Sequence, residues 1–347
     1  MISNLVQRFN HQKQRLLLLW LLLRKGRVSL RKLRNALANT SAFRRRSEVA
    51  GHAPTLALLD ISSHCNMYCV TCRRSRADLI DISGQTELKT PLGSMTMECF
   101  SSIVDDLHRD TLLVSLYATG EPLLNRRVAD MVSYASRRGL ATMLSTNGML
   151  LDREVSGKIL RAGIDYCKVA VSGFTQDVYG VYHRGGDVAT VLANIAGFED
   201  ERRRLGLRCM VVVDYVLFEH NRHEEMAVRR FCREHGLQFT LRYGRTFEDS
   251  GVSSPSESRV HYLPRNTPCD WVWKIMVFCH DGRAVPCCQF ATCAVSPFVM
   301  GTGEENSAIS IWNGMQYREF RRIQATHGRK ALPLCQDCFY SGIDFQS

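Results

Sequence analysis

Between residues 55 and 243 short β-rich apolar runs alternate with helical stretches, and this alternation leaves the chain very few folds to choose from. Residues 55–61, 111–118, 141–145, 165–172, 208–218 and 237–243 read as strands. Helical signals occupy 95–109, 125–138, 152–162, 188–204 and 223–235, with Ser94 or Thr96 as caps for the first. Strands separated by helices pair in parallel through right-handed crossovers, an α/β pattern. Six units are fewer than the eight of a closed barrel, so the expectation is a partial (β/α)6 TIM-like barrel. Its chemistry would sit on loops leaving the C-terminal strand ends.

Fourteen cysteines are too many for ordinary core packing, and they gather at 65–72 and 269–338. Disulfide frameworks belong to short secreted chains, so this spacing points to metal ligation in a reducing compartment, the cytoplasm fitting best. Directly after the first strand, HCNMYCVTC presents Cys65, Cys69 and Cys72 at C-x3-C-x2-C. Three thiolates at that spacing can hold three irons of a cubane cluster and leave the fourth open to another ligand. A zinc site or unconnected thiols are the alternatives.

Further motifs stand at the ends of the next three strands. The second ends in YATGEPLLN, with Gly120 and Glu121, and the third in Ser145-Thr146-Asn147-Gly148. The fourth runs into VSGFTQDVYGVYHRGGD, with Ser172 and Arg184 twelve residues apart. Singly they are an ordinary turn, an Asn-Gly turn and a surface cation. In this order after the cysteines, over about residues 55–345, they make the chain resemble the radical S-adenosylmethionine superfamily. The resemblance implies that Cys65, Cys69 and Cys72 hold a [4Fe-4S] cluster whose free iron is chelated by S-adenosyl-L-methionine. Reductive cleavage of that cofactor would give a 5′-deoxyadenosyl radical that abstracts hydrogen from a substrate. Gly120 and Glu121 would hold the methionine ammonium, Ser145 and Asn147 the ribose, and Ser172 and Arg184 the ribose and carboxylate, a guanidinium offering two parallel hydrogen bonds. Two departures are visible: Thr119 replaces the first glycine of the Gly-Gly-Glu-like turn, and Thr71 stands where an aromatic residue usually precedes the third cysteine.

The C-terminal region resembles the auxiliary-cluster domains known as SPASM and twitch, in the spacing Cys269-x12-Gly282-x4-Cys287. His280–Arg283 is expected to turn a hairpin. The resemblance implies one auxiliary [4Fe-4S] cluster on Cys269, Cys287, Cys335 and Cys338, because no cysteine follows Cys338. Cys288 could replace Cys287, and Cys279 and Cys293 are unassigned. A zinc ribbon is the competing reading.

Charge is very unevenly placed. Residues 1–50 hold twelve of the 45 Lys and Arg and one acid, Glu48, so this segment carries the chain's whole net charge of +11. Its apolar run Leu16–Leu23 is too short for a secretory signal, lacks a cleavage site and is followed by charge, and no run approaches the roughly 20 residues of a membrane span. Leucines among many cations suit a helix lying at a membrane interface; helices packed on the body, their charges merely solvated, are the alternative. Nucleic acid is disfavoured, since the arm is richer in Leu than in the aromatics that stack on bases. The expected organisation is a basic, Leu-rich helical arm (1–54), the partial barrel (55–245), a Ser/Pro/Gly-rich linker (246–266) and the small cysteine-rich domain (267–347).

A four-thiolate auxiliary cluster suits electron transfer, so hydrogen abstraction followed by one-electron oxidation is expected. The outcome would be dehydrogenation of an alcohol in a sugar- or cyclitol-like small molecule, as in the aminocyclitol dehydrogenase the single-cluster pattern resembles. Epimerisation, with Cys288 or Cys232 returning hydrogen, and peptide modification are alternatives, as is a zinc-binding protein without catalysis. Asp214, Tyr215, Arg242 and Tyr243 are candidates to line the cavity. Expected partners are a flavodoxin, ferredoxin or reductase as electron donor and a small-molecule or carbohydrate substrate. If residues 1–50 touch the inner face of a membrane, a lipid-linked substrate comes into view.

Overall fold

The computed structural model describes residues 14–72, 92–244, 246, 250–255, 266–291, 299–303, 305–336 and 338. All six expected strands form: β1 (Leu56–Leu59), β2 (Leu113–Ser115), β3 (Ala141–Thr146), β4 (Tyr166–Val171), β5 (Met210–Leu217) and β6 (Gln238–Tyr243). Between them run α3 (Met97–Leu107), α4 (Val128–Arg137), α5 (Arg153–Ala162), α6 (Gln176–Tyr182), α7 (Val188–Arg204) and α8 (Glu225–His235). Local chemistry sets several boundaries. Thr96 caps α3 by accepting from Cys99 N, and Asp152 caps α5 by accepting from Val155 N at 2.8 Å. Gly163, at φ 97°, ends α5 in the left-handed conformation that closes a helix.

The sheet runs β6-β5-β4-β3-β2-β1 with every pair parallel. Because each strand lies beside its predecessor, right-handed crossovers put α3–α8 on one face and leave the other open. The strand order and one-sided helices meet the expectation for the αβ region. The sheet does not stop at six strands, however. β7 (Ile275–Phe278) pairs in parallel with β1, from Leu56↔Ile275 to Leu59↔Phe278. It turns through Gly282, at φ 78°, into antiparallel β8 (Arg283–Val285), followed by β9 (Gly301–Thr302). The His280–Arg283 hairpin is thus where it was expected, but it extends the catalytic sheet. Short helices α9 (Trp271–Lys274), α10 (Ala308–Asn313), α11 (Met315–His327) and α12 (Pro333–Gln336) complete the region.

The expected linker lies partly outside the described residues. Its described part packs: Ser253 O accepts from Glu219 N at 2.9 Å, and Val252 is buried with Val70, Val216 and Phe218.

The arm is built into the foot of the sheet, where the strands begin. Residues 14–24 form α1, and α2 spans Leu30–Arg44. Lys25 Nζ donates to the carbonyls of Gly163, Ile164 and Arg208, each at 3.2 Å, and pairs with buried Asp165. Arg27 donates to Ser136 O at 2.6 Å and also pairs with Asp165. Lys32 Nζ reaches Gly139 O at 2.6 Å, and Arg31 grips Asp110 through two bonds of 2.8 and 2.7 Å. These acceptors lie where α3, α4 and α5 end, so the arm's cations meet orphan carbonyls and the negative ends of helix dipoles. Its last residues hold the C-terminal region as well: Trp273 Nε1 donates to Ser47 O at 2.6 Å and Trp312 Nε1 to Gly51 O at 3.0 Å.

The open face is layered. At the foot Leu18 and Leu21 pack with Tyr166, Met210 and Val212. Above them buried Lys168 and Asp214 and half-buried Thr240 and Arg242 form a polar layer. The top layer is apolar: Val216, Phe218, Ala170, Tyr182 and Val252 meet Val70 from the loop after β1.

Candidate active site

The first three cysteines occupy the loop at the head of β1, as their position in the sequence required. Buried Met67 and Val70 anchor the loop, leaving Tyr68 exposed at its crest. Backbone bonds from Tyr68 N to Arg184 O at 2.9 Å and from Val70 N to Tyr182 O at 3.3 Å brace it against the segment after α6. Burial pushes the Cys69 thiol up, and Cys72 and Cys65 raise it further. Burial likewise raises Cys65, with Glu121 and Cys72 adding to the shift. Thiols that raise one another in a dry loop ionise only against a cationic partner, and a metal centre supplies one, displacing their protons as it binds. Among the described residues no three Cys, His, Asp or Glu side chains are gathered into a grip on a single ion.

The turn after β2 packs directly on this loop. A Cβ at Gly120 would lie 2.3 Å from Ser62 O and 2.5 Å from His64 O, so only glycine fits. Glu121 N donates to His64 O at 2.7 Å. The Glu121 carboxylate is wholly buried and accepts from Thr146 Oγ1 at 2.7 Å, Asn147 N at 2.8 Å and Leu123 N at 3.1 Å. Burial nevertheless carries its pKa up to about 7, the three donors only moderating the rise. A buried carboxyl of this kind gains most from a cationic ligand such as an ammonium. The departure at Thr119 has a structural explanation: its N–H and hydroxyl donate to Asp60 at 3.0 and 2.6 Å, pinning the turn to the end of β1.

At the end of β3, Asn147 Nδ2 donates to Asn66 Oδ1 at 2.7 Å, tying this strand to the cysteine loop. Ser145 pairs in register with Lys168 and so shares the open face with it. Ser172 is placed differently from the role its motif implied. It is fully buried, and its hydroxyl pairs with His183 Nδ1 at 2.6 Å. Burial, with Arg242 adding to it, takes His183 down to about 3 and keeps it neutral. Arg184 is exposed, its backbone bound to the cysteine loop. Thr71, which replaces the usual aromatic residue, is hydrogen-bonded to the Tyr182 hydroxyl. Sequence reasoning passed over Thr146, Asn66 and His183; each lies within a motif already singled out, but nothing in the pattern marks which neighbour its side chain meets.

The cavity candidates separate by strand alternation. Asp214 and Arg242 reach the open face and bond at 2.6 Å, with Lys168 Nζ 3.7 Å from the same carboxylate. Burial alone would raise Asp214, but Lys168 and Arg242 outweigh it and hold the carboxyl below its ordinary range, so it is no ready proton acceptor. Tyr215 and Tyr243 belong to the helix-covered face, where the Tyr215 hydroxyl donates to Asn221 O at 2.7 Å. Cys232 is buried in α8, its thiol pushed up to about 12, remote from a hydrogen-donor position.

The thiols expected at an auxiliary site lie near one another. Cys269 precedes α9, Cys287 follows β8, and both are raised by burial. Cys335 and Cys338 add to the shift at each, and Cys287 also feels Cys288 and Cys269. Cys287 is thus in electrostatic contact with the other three. Cys288 stands beside it, its backbone carbonyl accepting from Ala291 N at 3.3 Å. Cys293 lies outside the described residues.

A family model described as the radical SAM superfamily matches residues 59–232, half of the chain. The chain belongs to the radical SAM superfamily. A second model, an iron–sulfur cluster-binding domain named SPASM, matches residues 269–339. The chain is 24% identical over 322 residues to the tungsten-containing aldehyde ferredoxin oxidoreductase cofactor-modifying protein of Pyrococcus furiosus, covering 81% of this chain and 86% of that one. It spans only about a third of several other curated relatives, haem synthases among them. Among solved structures, Streptococcus suis SuiB bound to S-adenosylmethionine superimposes with a TM-score of 0.64 at 11% identity, over 88% of this chain and 75% of that one. BtrN in complex with AdoMet and 2-DOIA gives 0.51 at 16% identity, over 84% and 95%.

This radical SAM protein is therefore an enzyme whose cofactors are S-adenosylmethionine and [4Fe-4S] clusters. The residues present fit them: a three-thiol loop, a glycine notch that a Cβ would fill, and a buried carboxyl lacking a cation. Such enzymes need an electron donor and act on small molecules or peptides. No helix among the described residues is long and apolar enough to cross a membrane.

Proposed function

We propose that this radical SAM protein removes hydrogen from a small hydroxylated substrate and oxidises the resulting radical by one electron. Cys65, Cys69 and Cys72 would hold the cofactor-binding cluster, and Cys269, Cys287, Cys335 and Cys338 the auxiliary one. When bound, the first cluster and S-adenosylmethionine supply the hydrogen-abstracting radical. Gly120 lets the turn after β2 close on the cysteine loop, Glu121 receives the cofactor's ammonium, and Asn147 fixes the β3 end against Asn66. Arg184 is offered from the brace behind the loop to the cofactor's carboxylate. The Lys168–Asp214–Arg242 layer presents polar groups suited to a hydroxylated molecule.

The observation that carries the reading is the pairing of β1 with β7. It joins the segment flanked by Cys269 and Cys287 to the strand that carries the first cysteine loop, which supports a second cluster as electron acceptor for a substrate radical. The likeness to BtrN over nearly all of that chain supports a small-molecule substrate; it is a likeness of fold alone. Peptide modification is the second reading, favoured by SuiB, a structure of which is titled as bound to the precursor peptide SuiA.

Anaerobically reconstituted protein should carry about eight iron and eight sulfide per chain, two cubanes. Cys335→Ala/Cys338→Ala should keep cofactor cleavage and lose substrate oxidation. Zinc without sulfide, or loss of cleavage with the first cluster intact, overturns this division of labour.

A further inference from the structure

Helix α2 is inside out. The residues it buries are Lys32 (5% exposed), Asn35 (5%), Asn39 (0%) and, near its end, Ala42; the three polar ones bond to the carbonyls of Gly139, Asp110 and Ala53. The residues it turns outward are Leu30 (81%), Leu33 (41%) and Leu37 (69%), spaced i, i+3, i+7 along one stripe. A helix whose outer face meets water normally has the opposite arrangement. α1 is apolar on both sides: Leu21 and Leu22 are buried, while Leu16, Leu19, Trp20 and Leu23 form a second exposed stripe at helical spacing. A crevice of about 220 Å³ beside it, walled partly by Leu17, Trp20, Leu21 and Met210, continues the apolar surface.

The charges divide in the same way. Lys25, Arg27, Arg31 and Lys32 are spent on the foot of the sheet, as described above. Arg24, Arg34, Arg44, Arg45 and Arg46 are exposed, and none is paired with a carboxylate among the described residues. Apolar stripes edged by arginines, in a segment with a single acid, match a surface that is greasy beneath and negative on top. We propose that the outward faces of α1 and α2 seat the enzyme on an anionic phospholipid bilayer. The leucines and Trp20 enter the headgroup–acyl boundary, and the arginines meet lipid phosphates. A second copy of this chain is a poor occupant, because a symmetric contact would bring two strongly basic arms together.

The active-site loop lies at the opposite end of the strands from this face. A seated enzyme therefore offers its reaction centre to the aqueous side, which weakens the case for a lipid-linked substrate and fits the small-molecule reading.

The test is anaerobic flotation of the full chain with vesicles of phosphatidylcholine alone or with about a quarter phosphatidylglycerol, at about 0.1 and 0.5 M salt. The parent should float with the anionic vesicles at low salt and be released when salt is raised or the anionic lipid omitted. Leu33→Glu/Leu37→Glu should cut partitioning by more than about tenfold, and Arg34→Gln or Arg45→Gln by about fivefold each. Both leucines are exposed, so melting temperature and cofactor cleavage should match the parent; if that pair misfolds, Trp20→Ser on α1 gives the same reading. A parent that ignores anionic vesicles, or leucine variants that float as the parent does, overturns the proposal. So does sedimentation showing a dimer that the leucine variants dissociate, which would assign the face to a second copy. The readout needs neither cluster nor substrate, so its failure leaves the proposed reaction untouched, and the reverse.

Discussion

The two ends of the strands handle polarity in opposite ways. At the foot, Lys25, Arg27, Lys32, Asn35 and Asn39 each meet a carbonyl or carboxylate of the chain itself, and the arm supplies what the helix ends lack. At the head, Glu121 is buried without a cation, burial and neighbouring thiols raise Cys69 and Cys65, and Gly120 leaves room for no side chain. Contacts already satisfied, as between the arm and the foot, contribute stability; groups with outstanding electrostatic needs, at the head and around Cys269 and Cys287, are prepared for a ligand. The basic count of a segment, taken alone, does not tell the two apart, since the arm's cations serve partly as helix caps.

Substitutions at each end should separate stability from chemistry. The largest effect is expected from Cys69→Ala, which should abolish cofactor cleavage while the melting temperature of the cluster-free protein stays near the parent's. A large fall in that temperature would show that the head also holds the fold together. Next, Asp165→Asn at the foot leaves Lys25 and Arg27 beside a neutral side chain and should cost about 3–5 kcal/mol in denaturant unfolding. Cleavage per folded molecule should not change; if it drops, the foot takes part in the chemistry. Smallest is Glu121→Gln, expected to weaken S-adenosylmethionine binding about 10–100-fold by calorimetry. The parent carboxyl titrates near 7 and is protonated below that, so its affinity should fall as pH drops from 8 to 6. The glutamine variant should show a flat profile over the same range, and a slope that survives in it would move the titrating group elsewhere.

Much of this was legible in the sequence because it is local. Strand alternation, the Thr96 cap, the Gly282 hairpin and the cysteine spacing are all set within a few residues, and each appears in the structure. What escaped depends on contacts distant in the chain. The seating of β7 against β1 joins residues more than 200 positions apart. The inverted helix α2 reads as amphipathic in the usual sense until the carbonyls beneath it are known. The surroundings of Ser172 and Tyr243 are equally set by distant parts of the chain. Ser172 is taken up by His183, and Tyr243 falls on the helix side because the pleat alternates.

The pairing of β1 with β7 has one more consequence. Cys65 follows the head of β1 and Cys269 precedes the foot of β7, so the paired β1–β7 ladder lies between the two sulfur sites. That span is ladder-bonded backbone packed in a dry core, shielded from solvent. An electron tunnelling between the sites would cross a bridge whose length cannot breathe with substrate traffic, so the rate of that transfer is fixed by the architecture.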